Sequence, residues 1–171
     1  MNPDRPRLIL KPTFLDIILD GTSIAGILFI WVYVFIRYTS LPEIIPVHFS
    51  FDGKADNYGN RATIFIMPAI ITVVTAGLFL LNRFPHIFNY SKKINAENAF
   101  REYTRATRLL RVITLIIVVF NSILTIDFAS SAREGFSRLT WWVIPLFMLS
   151  MLMPIFMMLY QSSGKKREVK P

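Results

Sequence analysis

The chain has 171 residues, 53% of them hydrophobic, with a mean hydropathy of +0.46 and a formal net charge of +8. That composition lies beyond ordinary globular usage in the direction of membrane spans. It argues against a basic nucleic-acid binder, because the basic residues sit between apolar runs, where anionic headgroups are their natural partners. The absence of cysteine excludes disulfides, thiolate chemistry and cysteine-based zinc or iron–sulfur sites.

Residues 1–16 form a basic N-terminal segment (Arg5, Arg7, Lys11) ahead of the first apolar run, Ile17–Ile36. That run is longer than a signal-peptide core, and Arg37-Tyr38-Thr39-Ser40 is not a small-x-small cleavage site, so it reads as an uncleaved first span. Thr13-x-x-Asp16 has the spacing of a capping box, with Asp replacing Glu or Gln. Asp16 and Asp20 fall one turn apart on one face. Carboxylates at a helix start compensate the dipole, and Asp20 also marks a polar position within the span. Gly21-x-x-x-Ala25 and Thr22-x-x-x-Gly26 carry small residues at the spacing that lets helices approach closely.

The loop 37–61 is the most structured connection in the sequence. Pro42 and Pro46 end the first span and hold the chain extended. Val47, Phe49 and Phe51 alternate with His48 and Ser50, which is strand periodicity with one apolar side pressed on the helix ends. Asp52-Gly53 predicts a two-residue hairpin turn, and Asn57-Tyr58-Gly59-Asn60 predicts a second turn. His48 has Glu43, Asp52 and Asp56 as carboxylate companions. A lone histidine in a turn-rich loop points to a backbone-bonded or partner-binding group, and no metal site is expected. The candidate binding residues are Pro46, His48, Asp52, Gly53, Asp56, Tyr58 and Gly59, with His48 and Asp56 turned toward a shared cleft.

The second span, Ala62–Leu81, contains Pro68 in its first third, which predicts a kink. Residues 17–81 thus make one unit of two spans and an outer loop. In the 82–108 connection, Ala96, Ala99, Phe100, Tyr103, Ala106 and Leu110 follow helical spacing. Arg101, Arg105, Arg108 and Arg111 form a stripe along it. An amphipathic helix lying at the inner surface and running into the third span is expected, with those four arginines on lipid headgroups. The third span, Leu109–Phe128, holds Asn121 at mid-depth and Asp127 toward its outer end; asparagine in a span usually bonds a neighbouring helix. The fourth, Leu139–Tyr160, carries Pro145, Pro154 and several methionines, and completes a second helical hairpin over 109–160. A basic tail, 161–171, follows.

Alternating spans put 14 of the 19 basic residues on one side, so both termini are expected in the cytoplasm with loops 37–61 and 129–138 outside. The fold class is therefore an all-α integral membrane protein of four transmembrane helices, with an ordered outer loop and a short hairpin between the first two.

The residues Leu41-Pro42-x-x-Ile45-Pro46-x-His48-Phe49, followed by Gly53, Asp56 and Tyr58-Gly59, resemble the N-terminal domain of unknown function of the SdpI-type bacterial membrane proteins. The resemblance covers about residues 37–85. It implies a multi-pass protein of a bacterial cytoplasmic membrane. That family includes the immunity protein that protects a bacterium from its own secreted killing peptide and signals the peptide's presence. The second membrane domain of those proteins is not found in this chain. No HExxH, GxSxG or P-loop pattern occurs, so neither catalysis nor a cofactor is expected. The expected function is immunity- or sensor-like recognition of a peptide, a lipid or a membrane-protein partner through the outer loop. A small transporter using Asp20, Asn121 and Asp127, and a structural accessory of a membrane complex, are the alternatives. Anionic membrane lipids are expected partners, nucleic acid is not, and self-association is left open.

Overall fold

A computed structural model describes residues 5–139 and 142–164. Trp141 and the tail residues Lys165, Lys166, Arg167 and Lys170 lie outside them. The elements run α1 (Phe14–Tyr38), β1 (Ile44–Phe49), β2 (Ala55–Asn60), a 3-10 turn (Arg61–Phe65), α2 (Ile66–Leu81), a second 3-10 turn (Pro85–Ile87), α3 (Ala99–Glu134) and α4 (Val143–Gly164). Among the described residues, three helical stretches are long and apolar enough to cross a membrane: Phe14–Tyr38, Arg61–Leu81 and Ala99–Glu134. In α4 the apolar stretch described is the shorter Pro145–Phe156.

Helix α1 starts where the sequence places it. The Thr13 hydroxyl accepts from the Asp16 N–H, and the Asp16 carboxylate accepts from the Thr13 N–H at 2.9 Å, closing the capping box. The helix packs most extensively on α3. Gly26 makes that approach possible, since a Cβ there would lie 2.8 Å from Val118 Cγ1, whereas Gly21 faces open space.

Pro68 has a different role from the expected kink. It falls in the first turn of α2, where its missing N–H is no loss. Arg61–Phe65, the five residues before α2, wind as a 3-10 turn, consistent with a proline at 68 that cannot donate to the Ile64 carbonyl. Thr72 donates back to the Pro68 carbonyl at 2.7 Å and accepts from Trp31 Nε1 at 3.0 Å, tying α2 to α1.

Of the 82–108 connection, residues 99–108 are the first part of α3 and run into the third apolar helix as expected, while 82–98 form a corner that holds the second 3-10 turn. At 1.5 Å per residue, a 36-residue helix is about 54 Å long, far more than the ~30 Å hydrocarbon core. Its N-terminal part is wrapped by the N-terminal strap, residues 5–13, and by the corner 84–94. Ile94, Ala99 and Tyr103 form a small core there, with Leu10 and Tyr90 against it. The Tyr103 hydroxyl donates to the Pro6 carbonyl at 3.0 Å. Arg5 donates to the carbonyls of His86 and Phe88 and lies over the Tyr90 ring. At the other end α3 continues past Phe128 to Glu134, so most of the expected outer loop 129–138 is helical. Gly135 ends it in the left-handed conformation, φ +67°.

Candidate functional site

The end of the molecule away from the N-terminal strap is built on the β1–β2 hairpin. Leu41 and Ile45 are fully buried against Val34 of α1, Ile64, and Ala129 and Ala132 of α3, with Tyr38, Phe65 and Phe128 around them. This apolar cluster fixes the hairpin on the helix ends. The antiparallel register pairs Ile45 with Gly59, Pro46 with Tyr58, His48 with Asn57 and Phe49 with Ala55. Val47 on one strand and Asp56 on the other are the extra residues, so two bulges offset each other.

The expected turn at 57–60 is thus a strand. Pairing with β1 overrides the turn propensity of Asn and Gly. Gly59 is needed for close approach, because a Cβ there would stand 2.9 Å from Val47 Cγ1. Asn60 contributes as a cap, its side chain accepting from the Ala62 N–H at 2.8 Å.

The expected turn at Asp52-Gly53 does form, but as a three-residue loop. Gly53 N–H donates to the Ser50 carbonyl at 2.9 Å and Ser50 N–H to the Lys54 carbonyl at 2.8 Å, with Gly53 at φ +88°. Phe51 sits at the tip, 82% exposed, rather than against the helices. Asp52 accepts from the Ser50 hydroxyl and the Lys54 N–H and pairs with Lys54 Nζ at 3.1 Å. These bonds, the Ser50 hydroxyl first, lower its carboxyl from the ordinary 3.8 to about 2.

A feature with no sequence signal ties the tip to α3. Ala55 N–H donates to the Gly135 carbonyl at 2.9 Å, and Ser137 N–H to the Gly53 carbonyl at 2.8 Å. Gly53 is irreplaceable here for a second reason: a Cβ would lie 2.5 Å from the Ser137 carbonyl oxygen. Ser137 in turn donates through its hydroxyl to Asp127 Oδ2 at 2.5 Å. Asp127, expected only as a polar position in a span, is therefore part of the cap.

Between the hairpin, α2, α3 and the start of α4 lies a largely apolar cleft of about 490 Å³. Val47, Phe49, Met67, Phe120, Leu124 and Phe128 line it, and His48, Thr63, Asp127 and Ser137 are the polar groups. That volume and mixture suit a small apolar ligand or one anchoring side chain with a few orienting polar groups. The Thr63 hydroxyl is buried and has no partner among the described residues. His48 faces the cleft while its Nδ1 lies 2.6 Å from Asp56 Oδ1. Asp56 itself stands outside the lining, so the pair shares a bond and not the cleft. Pro46 is buried beneath the hairpin and Tyr58 is half-exposed opposite it. The sequence candidates thus share one hairpin but divide between the cleft (His48), the tip (Asp52, Gly53) and the strand pairing (Pro46, Tyr58, Gly59). Phe120, Phe128 and Thr63 were missed, since ordinary span residues carry no mark of a cavity. Among the described residues, no group of three or more His, Asp and Glu side chains is arranged to hold a metal ion.

The basic stripe beside the N-terminal strap is engaged by buried carboxylates. Arg108 Nε meets Asp16 at 3.1 Å and Arg111 Nε meets Asp20 at 3.0 Å. Asp16 is only 4% exposed. Glu102, equally buried, gathers Arg101 at 2.9 Å, Lys92 at 3.0 Å and Arg105 at 3.7 Å. The stripe was read on its own helix, and the carboxylates that claim Arg108 and Arg111 lie more than 90 residues away on α1. Asn121 shows the opposite mismatch. Its buried Oδ1 finds no neighbouring helix to bond among the described residues.

The unit formed by the second half of α1, the hairpin and the start of α2 is a recognised domain. Residues 25–72 match the family model of a domain of unknown function, DUF1648. An uncharacterized protein of Archaeoglobus fulgidus is 25% identical over 148 residues, an alignment covering 78% of this chain and 81% of that protein. Such coverage extends the similarity well beyond the hairpin unit. No solved structure matches the chain.

Proposed function

We propose that the chain is a four-span, non-enzymatic membrane receptor of the sensor or immunity type, related to the SdpI-type proteins through its hairpin domain. Both termini face the cytoplasm, α4 is the fourth span, and the outer hairpin roofs the binding cleft. The occupant is an apolar group offered from outside: a side chain of a secreted peptide, a lipid chain or a residue of a partner membrane protein. The observation that carries this reading is the apolar cleft of about 490 Å³ beneath the hairpin, with His48 at its edge.

A transport path is the second reading. It draws on Asn121, whose buried Oδ1 is unpartnered. It is weakened by Asp20, which is engaged by Arg111 at 3.0 Å and so not free to pass a cation. The deciding experiment complements a deletion strain with His48→Ala and Phe128→Ala on one side and Asn121→Ala on the other. The receptor reading expects the first two to lose the deletion phenotype's rescue while inserting normally, and Asn121→Ala to keep it. Full rescue by both cleft variants, with loss in Asn121→Ala, overturns it.

A further inference from the structure

A second pocket, of about 230 Å³, lies at the inner end between the N-terminal strap, the corner after α2 and the inner part of α3. Its cationic side chains are Lys11, Arg83 and Arg111. The carboxylate in its wall, Asp16, is already held by Arg108 at 3.1 Å, with Arg111 at 3.9 Å. Lys11 and Arg83 are engaged by no ion pair among the described residues, unlike Lys92 and the four arginines of the stripe. Asn82 also lines the pocket, and its Oδ1 is buried without a partner. A half-turn of that amide presents its N–H₂ group to the same space. The site is therefore a small concavity with two uncommitted cations and one uncommitted amide, which is the chemistry of a phosphate receptor.

Its position selects the source of the phosphate. The pocket sits where α1 begins and α2 ends, the headgroup level for helices that span. Leu8, Leu10, Pro12 and Pro85 make up its apolar wall, and Ile9 projects beside it, 96% exposed. Next along the helices, Ile17 and Ile18 of α1 and Leu80 and Leu81 of α2 are exposed apolar residues. Phosphate-binding cations above lipid-facing aliphatic side chains match a phospholipid from head to tail. We propose that this pocket binds the phosphate of a phospholipid headgroup in the inner leaflet, with Lys11 and Arg83 as its charge partners. The proposal rests on the membrane reading above but not on the outer cleft, which the test leaves untouched.

The test titrates the full chain, purified in neutral detergent, with phosphatidylglycerol and reads bound lipid by native mass spectrometry. Diacylglycerol, which lacks the phosphate, and inorganic phosphate, which lacks the chains, are run beside it. One retained phosphatidylglycerol per chain is expected, with no retention of diacylglycerol and no displacement by inorganic phosphate. Lys11→Gln and Arg83→Gln should each weaken retention about fivefold, and the double variant on the order of twentyfold. Glutamine keeps most of each aliphatic stem, and unfolding temperatures in lipid-free detergent confirm that the fold is intact. A charge-matched control, Arg7→Gln with Lys93→Gln, removes two exposed cations that do not line the pocket and should change retention less than twofold. Equal loss in both double variants would mean diffuse surface charge and overturn the site. Binding of diacylglycerol as tight as phosphatidylglycerol, or displacement by inorganic phosphate, would overturn the lipid phosphate as its ligand.

Discussion

Gly53 carries two constraints at once, a left-handed φ of +88° and a 2.5 Å approach of any Cβ to the Ser137 carbonyl. The left-handed conformation alone costs a branched residue about 1–2 kcal/mol, and the clash adds to it. Gly53→Val is therefore expected to release the tip from the 135–137 segment while the helices stay formed. Hydrogen exchange at the Ala55 and Ser137 amides measures this, and unchanged protection would refute it. Asp52 adds a pH dependence at the same tip. Its carboxyl is lowered from 3.8 to about 2, so its bonds to Ser50 and Lys54 favour the folded turn fully above pH 4. That contribution is lost as the pH falls through about 2, because the protonated form no longer accepts both bonds. Protection of the Lys54 amide should fall across that window in the native chain and stay level in Asp52→Asn. The turn was legible from Asp52-Gly53 because a local preference decides it. The Asp127–Ser137 bond was not, since it depends on where α3 ends and how the chain returns.

At the scale of elements, pairing across space overrides what each segment favours alone. Asn57 to Asn60 carry turn residues, yet they form β2 because β1 supplies a ladder and Val47 leaves room only for glycine at position 59. The capping box at Thr13 and the helix through Phe100, Tyr103 and Ala106 were legible, because both depend on spacing within one segment. The α1–α3 ion pairs were not legible, because nothing in either segment names its partner. Those pairs make a prediction about helix docking. Arg111 is largely buried but Asp20 is about a third exposed, so removing the arginine strands a partly solvated carboxylate and costs about 1–3 kcal/mol. Arg111→Met should therefore lower the unfolding temperature in detergent well below that of the native chain. Adding Asp20→Asn removes one stranded carboxylate and should recover part of the loss. If the double variant is less stable than Arg111→Met alone, the pair does not dock α1 on α3.

At the scale of the whole molecule, the contacts of the described residues gather at two ends. Fourteen of the 19 basic residues were assigned to one side by counting alone. The structure brings the strap that carries Arg5 against the corner at His86 and Phe88, and Tyr103 of α3 against Pro6. At the opposite end, Arg61 reaches the Leu41 carbonyl and Arg133 the Ser40 carbonyl, both beside the hairpin. Among the described residues, the strap and the corner counted to one side pack together, and Arg61 and Arg133, counted to the other, lie beside the hairpin. Neither set of contacts says which end faces the cytoplasm; the proposed orientation rests on the positive-inside rule. The chain lacks cysteine, so single cysteines at Ser50 on the hairpin tip and Lys93 in the corner can be labelled without background. In intact cells an impermeant maleimide should modify Ser50→Cys, and should reach Lys93→Cys only after permeabilisation. Lys93 is exposed and Ser50 is partly exposed beside the exposed Phe51, so membrane sidedness, more than burial, decides the outcome. Labelling of Lys93→Cys with protection of Ser50→Cys would invert the molecule. The cleft would then face the cytoplasm, and the receptor reading would fall with the topology.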